Sequence, residues 1–164
     1  MDYQPTFLTI ILTMPGTKSP LIVIGDSDGL IAILHEEDNN FSRANETVRQ
    51  LLQMEALVIF PITTIVETVT TLTRKLAKPG LAAHVIDRIS QGELLIEPAD
   101  DSLLRTALTV FTPSGSKQNT LFDAFVVATA KKFNTKYVFS FDAWYKKLGL
   151  TLASDFVTDN PKVV

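Results

Sequence analysis

Four acidic residues stand isolated among apolar neighbours: Asp26, Glu67, Asp123 and Asp142. Asp26 is the only charge from Ser19 to Ser27, and Glu67 the only one from Ala56 to Thr73. Asp123 is the only charge from Gln118 to Ala130, and Asp142 the only one from Tyr137 to Tyr145. The chain is 20% charged, so such windows should carry several charges of both signs. An ionised carboxylate beside apolar core needs a partner, or its pKa rises until it neutralises. No Lys or Arg lies close in sequence to provide one. Acids gathered without bases are the usual ligands of Mg²⁺ or Mn²⁺, hard ions that prefer oxygen.

Each acid also has a structural alternative. Asp123 can complete a capping box with Thr120, and Asp142 can cap a helix over Ala143–Lys147, with Ser140 as a rival cap. Asp26 can cap the helix that follows its strand. Glu67 falls inside a helical pattern rather than at its start. Thr63, Thr64, Thr70 and Thr71 lie three or four positions from it and give it a polar strip. An exposed face would carry Lys or Glu instead, so a wet internal site is expected there.

The elements that must position these acids follow from the apolar pattern. Short apolar runs read as buried strands at Leu21–Ile24, Leu57–Phe60, Leu94–Ile96, Tyr137–Phe139 and Leu150–Ala153. Helical spacing occupies residues 42–55, 81–91 and 120–133 between them. Residues 62–77 are rich in Thr and Val, yet Ile62, Ile65, Val69, Leu72 and Leu76 recur at threes and fours. That spacing, and a length beyond the usual strand, predict a helix. Strands alternating with helices imply an α/β domain whose parallel sheet is covered on both faces. Asp26 and Asp142 then fall just beyond strand ends, where open α/β sheets bind ligands.

The 164 residues suit one domain with a real core, at 46% hydrophobic and a net charge of −3. Residues 1–20 end in Pro15-Gly16-Thr17-Lys18-Ser19-Pro20 and read as an extension or linker; 21–156 form the domain and 157–164 a tail. The absence of cysteine excludes a disulfide scaffold, a Cys metal site and a thiol nucleophile. Two histidines exclude a His-rich metal site. A pI near 5.3 confines any nucleic-acid contact to a local site. Phe7–Met14 is too short to span a bilayer and, preceded by no Lys or Arg, makes a poor signal peptide. No membrane association is expected, and the cytoplasm is the expected location.

Taken in order, these segments resemble the PIN-domain nucleases, including the VapC-type toxins. The resemblance rests on Val23-Ile24-Gly25-Asp26-Ser27, Thr64-Ile65-Val66-Glu67, Leu121-Phe122-Asp123-Ala124-Phe125-Val126-Val127-Ala128-Thr129-Ala130 and Val138-Phe139-Ser140-Phe141-Asp142. It implies a three-layer α/β/α domain with a central parallel sheet of about five strands. It also implies a divalent-metal-dependent endoribonuclease that hydrolyses RNA with a metal-activated water, leaving a 5′-phosphate and a 3′-hydroxyl. Asp26, Glu67, Asp123 and Asp142 match the family's acids, and Ser140 its small hydroxyl position. Asp26 and Asp123 would be the principal ligands of one or two Mg²⁺ or Mn²⁺ ions. Glu67 and Asp142 would bind directly or through water. An RNA substrate and an antitoxin protein are the implied partners, and the apolar composition leads us to expect a homodimer.

The chain departs from that pattern in places. Residues 1–20 precede the usual start, and Asp28 stands where many members have Asn or Ser. Asn119 reads first as a helix cap. Arg74, Lys75, Lys78 and Lys117 could guide RNA, although helix ends also favour cations, as at Lys131-Lys132. His35, His84, Trp144 and the phenylalanines read as structural. Two rival readings remain. Gly25-Asp26-Ser27-Asp28-Gly29 after a strand resembles the first motif of haloacid-dehalogenase-type phosphatases, with Asp26 as nucleophile and Asp28 as acid–base. That reading would draw its later acids from Asp100-Asp101. The other rival is a PIN-like scaffold that cuts nothing.

Overall fold

A computed structural model describes residues 19–115 and 119–159. The strands are β1 (Ile22–Gly25), β2 (Leu57–Pro61), β3 (Leu95–Glu97), β4 (Tyr137–Phe139) and β5 (Thr151–Leu152). All pair in parallel, in the order β3-β2-β1-β4-β5. Between them run α1 (Ser27–Leu34), α2 (Phe41–Gln53), α3 (Ile62–Thr70), α4 (Pro79–Ser90), α5 (Asp101–Leu108), α6 (Leu121–Lys132) and α7 (Trp144–Lys147). α8 (Ala153–Asp159) ends the described chain.

Alternate strand residues enter opposite layers, as the two-residue period of a strand requires. Val23, Val58 and Phe60 pack with Leu30, Leu51, Leu72 and Val85 on one face. Ile24, Ile59 and Val138 pack with Val126, Val127 and Tyr145 on the other. Both sheet faces are therefore covered, which is why the central strands read as unbroken apolar runs. The expected three-layer α/β/α architecture with five parallel strands is what the chain forms.

α6 is buried at every position from Ala124 to Ala130, because the sheet lies on one side and α5 on the other. A helix apolar all round is the pattern of a fully covered helix. Phe122, read with the other phenylalanines as structural, is instead among the exposed apolar residues.

Four details differ from the sequence expectation. α5 falls where no helix was read, since only Leu103 and Ala107 mark its buried side. Asp100 is its N-cap, accepting from the Leu103 amide at 2.7 Å, and Asp101 sits in its first turn. The helix over 62–77 divides into α3 and a π-helical turn, Thr71–Lys75. Ala153 begins α8 instead of ending β5, and α8 runs past the domain end expected at 156. The extension expected over residues 1–20 lies outside the described residues except for Ser19 and Pro20, as does most of the tail.

Candidate active site

β1 lies between β2 and β4, so the chain winds outward in one direction from β1 to β2 and in the other to β4. This reversal opens a crevice at the carboxyl ends of β1 and β4, where doubly wound sheets bind ligands. Asp26 follows β1 directly, and Ser140 and Asp142 follow β4. Glu67 reaches the same end from the middle of α3, and Asp123 from the first turn of α6.

Gly25 places Asp26. A Cβ at Gly25 would stand 2.1 Å from the Phe60 ring, so only glycine lets that ring cross the end of β1. The Asp26 amide then donates to the Phe139 carbonyl at 3.1 Å, tying the turn to β4. Asp26 is 3% exposed, and its two oxygens have separate tasks. Oδ1 accepts from the Ser27 amide at 2.7 Å and caps α1. Oδ2 accepts from the Tyr145 hydroxyl at 2.8 Å and from Ser140 Oγ at 3.3 Å.

Asp123 divides its oxygens in the same way. Oδ2 accepts from the Thr120 amide and, at 2.9 Å, the Thr120 hydroxyl, forming the capping box of α6. Oδ1 stands 3.4 Å from the Tyr145 hydroxyl. Asp142 accepts from the Trp144 amide at 2.8 Å, while its own amide donates to Ser140 Oγ at 3.1 Å. Capping and clustering are thus compatible. One oxygen of Asp26 and one of Asp123 stabilise a helix start, and their other oxygens meet at the Tyr145 hydroxyl.

Glu67 is partnered by Ser27 of α1, whose hydroxyl donates to Oε2 at 2.7 Å, and not by the threonine strip of its own helix. Thr64 turns its hydroxyl instead to the Gly25 carbonyl, at 3.4 Å. Asp28 is half-buried and presents no free carboxylate. Its Oδ1 accepts from the Gly29 amide at 2.6 Å and its Oδ2 from the Phe141 amide at 2.7 Å. It fastens α1 to the segment beyond β4.

The electrostatics follow from this crowding. Burial, followed by the charges of Asp28 and Asp123, holds Asp26 well above the usual carboxylate range, against the pull of Tyr145 and the Ser27 amide. Asp28 is raised, first by burial, with its hydrogen bonds from the Phe141 amide, Ser140 and the Gly29 amide opposing. Glu67 is raised by burial and by the charges of Asp123 and Asp28. The Ser27 hydroxyl, and more weakly the Lys75 ammonium, act against that rise. Burial, then the charge of Asp26 and those of Asp123 and Asp28, push Tyr145 well above an ordinary phenol. The crevice therefore holds more negative charge than its own groups balance, a condition that a cation relieves.

The sequence reading missed Tyr145. Its ring is fully buried, and its hydroxyl joins two acids that the reading had paired only by chemistry. Two of the expected bases are engaged elsewhere and one is not described. Lys78 pairs with Glu37 at 3.1 Å, Lys132 pairs with Glu97 at 2.5 Å, and Lys117 lies outside the described residues.

The sequence profile of the PIN domain matches residues 24–149. The chain belongs to the PIN-domain family. The match spans all four isolated acids and all strands but β5 in whole or part. Among solved structures, the chain is similar to Mycobacterium tuberculosis VapC20, described as a sarcin–ricin loop cleaving toxin. The TM-score is 0.68 at 16% identity, covering 79% of this chain and 96% of that one. No curated protein sequence matches.

Family membership sets aside the phosphatase reading of the β1 motif, and the geometry agrees. Both oxygens of Asp28 are held by backbone amides, which leaves that residue no acid–base role. Within the PIN domain, the fit to a divalent ion rests on donor chemistry. The crevice offers hard oxygen donors in negative excess. Among the described residues, no three acids converge closely enough to enclose an ion as they stand.

Proposed function

We propose that this PIN domain is a divalent-metal-dependent endoribonuclease that hydrolyses RNA phosphodiester bonds and acts as the toxin of a toxin–antitoxin pair in the cytoplasm. The observation that carries the reading is the meeting of Asp26 and Asp123 at one buried hydroxyl, at the carboxyl ends of β1 and β4. Glu67 and Asp28 raise the negative charge of the same crevice. VapC20 is described as a toxin that cleaves the sarcin–ricin loop, and the shared fold supports extending a cleaving activity to this chain.

Asp26, Asp123, Glu67 and Asp142 would hold one or two Mg²⁺ or Mn²⁺ ions. Such an ion supplies a water nucleophilic at neutral pH and offsets charge on the phosphodiester and its departing oxygen. Tyr145 and Ser140 orient Asp26, and Ser27 orients Glu67. Thr120 fixes Asp123 through the capping box. The net charge of −3 means that the chain does not attract a polyanion broadly, so contact with RNA would be confined to a local site. An antitoxin would restrain the activity. Exposed Val66 of α3 and Ile86 of α4 support a homodimer through these neighbouring helices.

A calorimetric Mn²⁺ titration of wild type, Glu67→Gln and Asp123→Asn tests the reading, alongside RNA cleavage with and without chelator. The expected result is binding by wild type, weakened more than about tenfold in each variant, a loss of at least about 1.4 kcal/mol. Cleavage should stop with chelator and leave 5′-phosphate ends. Absence of Mn²⁺ binding by folded wild type would replace the nuclease with a PIN-like scaffold.

A further inference from the structure

Beside the acidic crevice lies a second feature that the proposed chemistry does not use. A cavity of about 430 Å³ opens between the segment after α5, the start of α6 and α7. Phe111, Trp144 and Lys147 line it, with Asn119 and Thr120 on its polar side. Its volume falls within the range of about 300–1,000 Å³ typical of small-molecule sites.

Two of its wall residues are bonded to the acids. Thr120 holds Asp123 by amide and hydroxyl, and the Trp144 amide donates to Asp142 at 2.8 Å. Trp144 also lies edge-on to Tyr145, with ring centroids 5.3 Å apart, and the Tyr145 hydroxyl touches Asp26. The cavity is therefore next to the crevice and shares its supports. Its composition is also particular. Trp144 and Phe111 supply half-buried aromatic surface, and Asn119 and Thr120 supply polar groups. Lys147 supplies a cation at the exposed rim, and among the described residues no carboxylate pairs with it, whereas the adjacent Lys146 pairs with Asp155 at 2.6 Å.

We infer that this cavity is a nucleobase subsite, in which one unstacked base of the substrate rests on Trp144 and Phe111 while Lys147 meets a backbone phosphate. Single-stranded RNA is recognised in this manner, by stacking on aromatic faces combined with hydrogen bonds to base edges and charge at the phosphate. The inference deepens the nuclease reading and rests on it for the identity of the ligand. It also explains how an acidic chain selects a cleavage site. The four acids would hold the ion that binds a phosphodiester of any sequence, and the neighbouring base would decide which one is retained.

Trp144 is the only tryptophan in the chain, so its indole N–H resonance reports on the cavity directly. The ¹⁵N-labelled full chain in chelator is titrated with each of the four nucleoside 5′-monophosphates and with ribose 5-phosphate. The nucleotides should shift the indole resonance saturably, with different affinities for different bases, and ribose 5-phosphate should leave it in place. Phe111→Ala should weaken nucleotide binding about tenfold, as expected for loss of one stacking face. Lys147→Ala, at an exposed position where folding is not at stake, should weaken all four nucleotides severalfold and alike. An indole resonance unmoved by every nucleotide, or moved equally by ribose 5-phosphate, overturns the subsite. An unmoved resonance would leave the wall to an apolar side chain of a protein partner. Metal-dependent RNA cleavage is measured on the same samples. Cleavage with an unmoved resonance removes the subsite and keeps the nuclease, and shifts without cleavage do the reverse.

Discussion

Tyr145 donates its phenolic hydrogen to Asp26 at 2.8 Å, across 119 positions of sequence, from a ring with no exposed surface. The same hydroxyl lies 3.4 Å from Asp123, so one side chain of α7 governs the spacing of two acids that come from β1 and α6. Removing the hydroxyl with Tyr145→Phe keeps the ring and its packing. It leaves Asp26 Oδ2 with only the longer contact to Ser140 among its described donors. A hydrogen bond to a charged or charge-sharing acceptor contributes about 1–3 kcal/mol. Urea denaturation of the metal-free variant should show a loss of about 1–2 kcal/mol. Mn²⁺ affinity should fall as well, because Asp26 is no longer held. A variant as stable as wild type, with unchanged Mn²⁺ affinity, would show that the bond does not organise the site.

The raised carboxyls set the pH dependence of the metal-free protein. Asp26, Asp28 and Glu67 all have folded pKa values above their unfolded ones. Between those values the folded state binds more protons than the unfolded state, so stability falls as pH rises through that window. The window opens near the unfolded carboxylate value of about 4 and extends upward to each folded value. Glu37 and Glu46, both lowered, act in the opposite sense but are fully exposed and screened by solvent. The melting temperature of the chelated protein should therefore decline from mildly acid toward neutral pH. Saturating Mn²⁺, which favours the ionised acids, should flatten or reverse that slope. Asp26→Asn should flatten it without metal. A chelated wild type that gains stability steadily from acid to neutral pH would contradict the assignment.

Gly29 lies inside α1, where alanine would ordinarily gain about 1 kcal/mol through helix propensity. A Cβ there would stand 2.5 Å from the Phe139 carbonyl oxygen, and a backbone atom of a central strand cannot retreat cheaply. Overpacking of this kind costs typically about 1–3 kcal/mol. The steric term exceeds the propensity gain, so Gly29→Ala should be net destabilising. It should also weaken Mn²⁺ binding, because α1 carries Asp26 at its cap. Thermal melts and calorimetry measure both, and a stabilised variant would show that α1 can move away from β4.

The sheet was legible because each central strand is a short run of apolar residues serving two covered faces, as at Val23 and Ile24. The four acids were legible because a lone charge in an apolar window is costly unless it has a function or a cap. The structure shows Asp26 and Asp123 carrying out the cap with one oxygen each. Tyr145 was not legible. In the short segment Trp144-Tyr145-Lys146-Lys147 a tyrosine reads as packing, and its hydroxyl finds partners only after the ends of β1 and α6 are brought together. α5 was missed for a related reason, since Leu103 and Ala107 form too brief an apolar face to show a period. The partner of Glu67 was also hidden, because Ser27 approaches from 40 positions away rather than from its own helix.

Asp28 offers the sharpest separation of a metal ligand from a structural tether. Its carboxylate lies close enough to raise Asp26, yet both oxygens are already taken by the amides of Gly29 and Phe141. Displacing either bond would leave a partly buried N–H without its acceptor at a cost of about 1–3 kcal/mol. Asp26 Oδ2 and Asp123 Oδ1 instead face only hydroxyls, which can rotate to another acceptor. Asp28→Asn preserves one carbonyl acceptor but replaces the other oxygen with a donor, so one of the two amides loses its partner. The variant should lose stability by about 1 kcal/mol, since relief of repulsion toward Asp26 offsets part of the lost bond. Its Mn²⁺ affinity should remain within about threefold of wild type, which is about 0.6 kcal/mol. Asp123→Asn, whose Oδ1 is turned toward the crevice, should lose more than about tenfold in the same titration. Equal losses in the two variants would place Asp28 among the ligands and return its bonds to Gly29 and Phe141 to the metal-free state only.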